Sequence, residues 1–163
     1  REVPASGNQP RRWEGSLKYC LGVKSPRFIL PKTSGFIKYS GNSAHVPTGI
    51  SDFYYAGQTA PAPGLEFHGQ SMYWIRPKNF VIRFLTLRLG THGTTAYDAL
   101  TIHEGGDYVL DHNSFTWGRD EIISISPGDP GKNPAGSKNI VVQRNLIAEG
   151  IDGHNTGSIC GYG

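Results

Sequence analysis

The sequence has no apolar run approaching the roughly 18 residues that a membrane-spanning helix needs, so no membrane span is predicted. It also has no cluster of Lys and Arg and no interleaving of basic with aromatic residues, which argues against a nucleic-acid interface. The net charge of +3 is ordinary surface charge. Charged residues make up only 18% of the chain, too few for disorder driven by charge. There are only two cysteines, Cys20 and Cys160, near opposite ends. In an elongated fold their Cα atoms would not come within the roughly 7 Å that a disulfide requires, so two packed thiols are expected. The chain opens Arg1-Glu2-Val3-Pro4 without an apolar signal region, as expected of a mature form, a fragment or a cytosolic protein.

What is abundant is turn-forming residues, with 22 Gly and 11 Pro, and these suit many short strands. Three segments share one pattern: Asn79-Phe-Val-Ile-Arg-Phe-Leu-Thr-Leu87, Asp107-Tyr-Val-Leu-Asp-His-Asn-Ser-Phe115 and Asn139-Ile-Val-Val-Gln-Arg-Asn-Leu-Ile147. Their starts lie 28 and 32 residues apart, a period that means stacked units rather than a closed globule. Each unit reads as a strand, so the units stack as parallel rungs. The expected fold is all-β, a right-handed parallel β-helix over residues 1–163.

Residues 1–14 read as an extended lead-in. Residues 15–22 read as a short capping helix, with Ser16 as its N-cap and Leu17, Cys20 and Leu21 on one face. Such a cap would cover the apolar end of the first coil. Strands are expected at Pro26–Leu30, Gly35–Tyr39, Phe53–Gly57, Gly64–His68 and Met72–Arg76, with 40–52 as a loop. Between the signature segments lie Tyr97–Ile102 and Asp120–Ile125, so each coil has at least two strands. Pro127–Pro134 is expected to leave the solenoid as a loop. Gly157–Gly163 reads as the start of another strand with no cap after it. An uncovered final rung invites edge-to-edge association, so a head-to-tail homo-oligomer, an unseen continuation or a truncated product is expected.

Aligning the interleaved strands on their final Ile places Asp98-Ala-Leu-Thr-Ile102 over Glu121-Ile-Ile-Ser-Ile125. On neighbouring rungs Asp98 and Glu121 would then stand about 4.8 Å apart. Two like charges at that distance repel, and a bound cation resolves the conflict. Asp120 could add a ligand, and an all-oxygen set suits calcium (Ca2+). A water-filled acidic groove is the alternative. Asp111 and His112 are adjacent in a strand and should point to opposite faces, so they are not read as a catalytic pair. Asp111 shares a column with Arg83 and Gln143, where a hydrogen-bonded structural role is expected. Asn113 and Asn145 should form a side-chain ladder at a bend, occupying the left-handed backbone that Asn tolerates. Trp117-Gly118-Arg119 offers either a ring and an arginine for a sugar carboxylate, or simply a packed turn. His68, His92 and His103 show no metal-ligand spacing.

Several stretches resemble pectate lyases of polysaccharide lyase family 1. They include Gly15-Ser-Leu-Lys, Tyr55-Ala-Gly-Gln-Thr-Ala-Pro-Ala-Pro-Gly-Leu65, Tyr97-Asp-Ala-Leu100, Leu110-Asp-His-Asn-Ser-Phe-Thr-Trp-Gly-Arg-Asp-Glu121 and Val142-Gln-Arg-Asn-Leu-Ile-Ala-Glu-Gly150. They follow the family order from about residue 15 to residue 157 and correspond to the N-terminal portion of the usual domain. The resemblance implies a parallel β-helix, calcium, and β-elimination of polygalacturonate in pectin by an extracellular protein. It places Asp98 at a calcium-binding position and Asp120 and Glu121 in the second acidic segment. Where the family often carries His-Ser-Lys-Gly, this chain reads His154-Asn-Thr-Gly157, so Thr156 stands in place of a substrate-binding Lys beside His154. The catalytic Arg of the family has no counterpart within residues 1–163. Arg144 lies on an earlier rung, and no catalytic residue is assigned. The alternative reading is a non-catalytic solenoid that binds acidic polysaccharide or stacks end to end.

Overall fold

A computed structural model of the chain describes residues 2–3, 12–13, 15–38, 43–69, 71–91, 97–128, 131, 136–151, 154 and 156–161. At the N-terminus β1 (Glu2–Val3) pairs antiparallel with β2 (Arg12–Trp13). Helix α1 (Leu17–Gly22) follows, with the Ser16 hydroxyl accepting the Tyr19 N–H at 3.2 Å. Its Leu21 is buried, and Leu17 and Cys20 pack against the same core. Arg27 ties this cap to the solenoid by donating to the Leu21 carbonyl at 2.8 Å and the Ser51 carbonyl at 2.7 Å.

The rest is a parallel β-helix of five coils, each contributing one strand to each of three five-stranded sheets. The first coil holds β3 (Arg27–Ile29), β4 (Gly35–Lys38) and β5 (Ser43–His45). The second holds β6 (Ser51–Ala56), β7 (Leu65–His68) and β8 (Ser71–Ile75), and the third β9 (Lys78–Arg83), β10 (Thr86–Arg88) and β11 (Leu100–His103). The fourth holds β12 (Gly105–Asp111), β13 (Ser114–Thr116) and β14 (Ile123–Ser126). The fifth holds β15 (Ser137–Gln143), β16 (Leu146–Ala148) and β17 (Ser158–Cys160).

Alternation along each strand decides what goes inside. In β9 Phe80 and Ile82 are buried while Val81 is not, and in β12 Tyr108 and Leu110 repeat this one rung on. The rings therefore stack along the axis, Phe53 on Phe80 at 4.9 Å and Phe80 on Tyr108 at 4.6 Å, with Trp74 tilted against the first two.

Four expectations change. Each signature segment is two strands rather than one, broken at Phe84-Leu85, His112-Asn113 and Arg144-Asn145, so every coil has three strands. The stretch 40–52 is not all loop, because Ser43–His45 pairs with β8 and Ser51 opens β6. The left-handed residues at the bend are Phe84, His112 and Arg144 (φ 55, 57 and 53°), not the asparagines that follow them. Both cysteines are free, but only Cys20 packs, half-buried against the core; Cys160 is exposed on the last described strand, contrary to the expectation of two packed thiols. Within the Pro127–Pro134 stretch, 129–130 and 132–134 lie outside the described residues, as does His92.

Candidate metal centre

The third sheet runs through β8, β11 and β14, and its register pairs Leu100 with Ile123, Thr101 with Ser124 and Ile102 with Ile125. Both strands start later than the sequence suggested. Asp98, Asp120 and Glu121 thus lie in the connections that enter β11 and β14, one coil apart. Asp98 is buried and the other two are half-buried. One carboxylate oxygen from each of the three lies within 4.8 Å of the others.

Local backbone geometry holds them there. Asp98 Oδ1 accepts the Glu121 N–H at 3.1 Å, and its Oδ2 accepts the Thr101 hydroxyl at 2.7 Å. Glu121 accepts from Ser124 Oγ at 3.4 Å and from Thr156 Oγ1 at 3.3 Å. The N–H groups of Arg119 and Asp120 both donate to the Tyr97 carbonyl, at 3.0 and 3.3 Å, which sets the turn. Gly118 makes the tight approach possible, since a Cβ there would lie 2.3 Å from the Glu121 carbonyl oxygen. His154 Nδ1 is 3.7 Å from Asp120 Oδ1, and the Thr156 carbonyl accepts the Ile122 N–H. Residues of the fifth coil thus reach the same cluster.

Burial raises the Glu121 carboxyl above its ordinary value, and the hydrogen bond to Asp98 and the charges of Asp98 and Asp120 push the same way. Three carboxylates converging on one point form an all-oxygen set of the kind that fits a hard cation such as calcium.

Arg119 sits half-buried in the turn. The cation over Trp117 is instead Arg88, 5.9 Å from the ring centroid, and the indole N–H donates to Glu149 at 3.0 Å. The sequence reasoning also missed Thr101 and Ser124. Their signal was present, because each stands three residues after its acid, in Asp98-Ala-Leu-Thr101 and Glu121-Ile-Ile-Ser124.

The remaining candidates lie at another corner, between the first sheet (β3, β6, β9, β12, β15) and the second (β4, β7, β10, β13, β16). Asn113 Oδ1 accepts the Leu85 N–H at 2.8 Å, and its amide donates to the Ile82 carbonyl at 3.1 Å. Asn145 repeats this one rung on, to the Asn113 N–H and the Leu110 carbonyl. Buried Asp111 accepts from Arg83 Nε at 2.7 Å, and His112 Nδ1 lies 2.9 Å from its other oxygen. Asp111 and His112 therefore do meet. Alternation stops at His112, whose left-handed backbone folds the ring back onto Asp111.

No protein-family model matches the chain. Among curated proteins it is 35% identical over 146 residues to a probable pectate lyase C of Aspergillus terreus, covering 90% of this chain and 32% of that protein. Over most of its own length the chain is similar to a pectate lyase. Probable pectate lyase C proteins of Aspergillus fumigatus and Emericella nidulans are 37% and 35% identical over 103 residues, covering 63% of this chain and 23% of each relative. The chain thus spans about a third or less of the length of the relatives it matches.

Proposed function

We propose that the chain is the calcium-binding portion of a pectate lyase-like protein acting on polygalacturonate outside the cell. The observation that carries this is the three-acid cluster, converging within 4.8 Å at the entrance to the third sheet. Asp98, Asp120 and Glu121 would hold the cation. Calcium bound there would attract the carboxylates of a uronate polymer and draw charge away from the carbon next to them. Asp98 positions Glu121 through its backbone N–H, and Thr101 and Ser124 orient the carboxylates. His154 and Thr156, from the next coil, border the place a sugar carboxylate would enter. Arg119 is the nearby cation proposed to face substrate.

The test is absorbance from the unsaturated product of polygalacturonate, measured with calcium and with a chelator. Calcium binding by the folded chain is expected, and a calcium-dependent rise in addition would establish a lyase whose catalytic base is still to be found. Calcium binding without any product would leave the non-catalytic, polysaccharide-binding solenoid as the better reading.

The raised Glu121 carboxyl adds a pH dependence. A folded-state value above the unfolded one means the native state holds more protons between the two, so metal-free stability falls as pH rises from about 4.5 through the raised folded value. A cation held there would compete with that proton for the Glu121 carboxylate. Its affinity, followed by calorimetry, is therefore expected to rise over the same window and level off above it. An affinity flat across the window would remove Glu121 from the ligand set.

A further inference from the structure

The outer face of the first sheet carries a cavity of about 530 Å3 that spans the first three coils. Its walls include Pro26 and Phe28 of the first coil, Asp52 and Tyr54 of the second, and Asn79 and Val81 of the third. Register arranges these as two columns. Phe28, Tyr54 and Val81 pair in turn across the three strands, and Asp52 lies over Asn79, between the pairs Ser51–Lys78 and Phe53–Phe80. Phe53 and Phe80 point into the core, so the two columns flank them on the outside. Phe28 is 74% exposed. It meets Tyr54 edge to face, with centroids 5.9 Å apart and 79° between planes, an arrangement in which one of the two rings keeps both faces open. Beside the rings, the Ser51 hydroxyl donates to Asp52 Oδ2 at 2.6 Å and the Asn79 amide to Oδ1 at 2.7 Å. These bonds hold the Asp52 carboxyl below its ordinary value. The nearby Arg27 guanidinium is engaged with the Ser51 and Leu21 carbonyls, so the charge this wall presents is negative. The same polar pair recurs at Asp107 and Asn139, also 2.7 Å apart, but the column beside it there holds Val109 and Val141 instead of rings.

Neighbouring hydroxyls on a sugar ring both donate and accept hydrogen bonds. A carboxylate only accepts, and an amide does both, so an adjoining Asp and Asn match such a pair of hydroxyls. An open aromatic face packs against the C–H face of a pyranose. An ionised acid on the same wall repels a sugar carboxylate and admits an uncharged ring. We propose that this cavity binds uncharged sugar residues of a glycan, at a site separate from the acidic cluster and needing no metal. The proposal rests on these two columns and not on the reading of the acidic cluster, so either can fail without the other.

The test is calorimetric titration of cellohexaose and of a galactan hexamer into the full chain in the presence of a chelator. Binding of at least one is expected, with little dependence on salt. Phe28→Ala and Asn79→Gly, the latter keeping a residue that tolerates the left-handed backbone, are each expected to weaken it about tenfold. Asn139→Gly, which removes the same amide beside the valines, and Asp98→Asn are expected to leave it unchanged. Phe28, Asn79 and Asn139 are all exposed, and unchanged circular dichroism and melting would confirm that the variants fold. No binding of either hexamer, binding untouched by Phe28→Ala, equal losses in Asn79→Gly and Asn139→Gly, or loss of binding in Asp98→Asn would overturn the proposal. So would tighter binding of a galacturonate hexamer, or of a glucosamine hexamer, whose amines would make Asp52 a counter-ion rather than a partner for hydroxyls.

Discussion

Asp98→Asn is expected to abolish the rise in melting temperature that calcium gives the parent chain. Asn has the shape of Asp, and its carbonyl oxygen can still accept the Glu121 N–H that Asp98 Oδ1 accepts at 3.1 Å, so the turn is kept. What is lost is one of three negative charges converging within 4.8 Å. At a calcium concentration a hundred times its dissociation constant, the parent gains about 2.7 kcal/mol, or about 5–10 °C for a chain of this size. Without calcium the variant should be no less stable than the parent, because removing the Asp98 charge relieves the repulsion that adds to burial in raising Glu121. Differential scanning calorimetry with and without calcium checks both halves. An undiminished calcium shift in the variant would remove Asp98 from the site.

Asn113→Ala is expected to cost more than any exposed substitution, about 2–6 kcal/mol. Asn113 is buried, and its amide serves the Leu85 N–H and the Ile82 carbonyl, which belong to the coil below. Alanine leaves both backbone groups unmatched where water does not reach, at roughly 1–3 kcal/mol each. Asn145→Ala removes the same kind of pair at a half-buried site, where solvent can substitute, so its cost should be clearly smaller. Urea denaturation of the two variants supplies the comparison. Equal losses would show that the amides matter for something other than satisfying the bend.

The coil-to-coil register was legible because two segments end in the same Ile, and Ile102 does pair with Ile125. The capping helix was legible because Ser16 and three apolar residues at helical spacing are local signals. What escaped was set by the stack rather than by local preference. Ser43–His45 is three residues long among Gly, Ser and Pro, too short for period-two alternation to show, and it is a strand only because β8 lies beside it. The bend residues are a Phe, a His and an Arg, none with an intrinsic taste for left-handed backbone. The asparagines next to them were the obvious candidates, yet they spend their amides on neighbouring coils instead. Reading Asp111 and His112 as facing apart failed for the same reason, since strand alternation was carried one residue past the point where the strand ends. At the acidic cluster the acids were visible from composition and alignment. The hydroxyls beside them were not noticed, although the acid-x-x-hydroxyl spacing repeats in both segments.

Asp98 lies on the third coil, Glu121 on the fourth and Thr156 on the fifth, each in the connection that leads into the third sheet. A solenoid is close to a one-dimensional lattice whose stability is a sum of unit terms and nearest-neighbour couplings. A cation bridging these residues would strengthen couplings rather than any single unit. Its thermodynamic signature would be sharper cooperativity as well as a higher midpoint: coils that otherwise open one after another would become a single block, at the place where a polymer would be held.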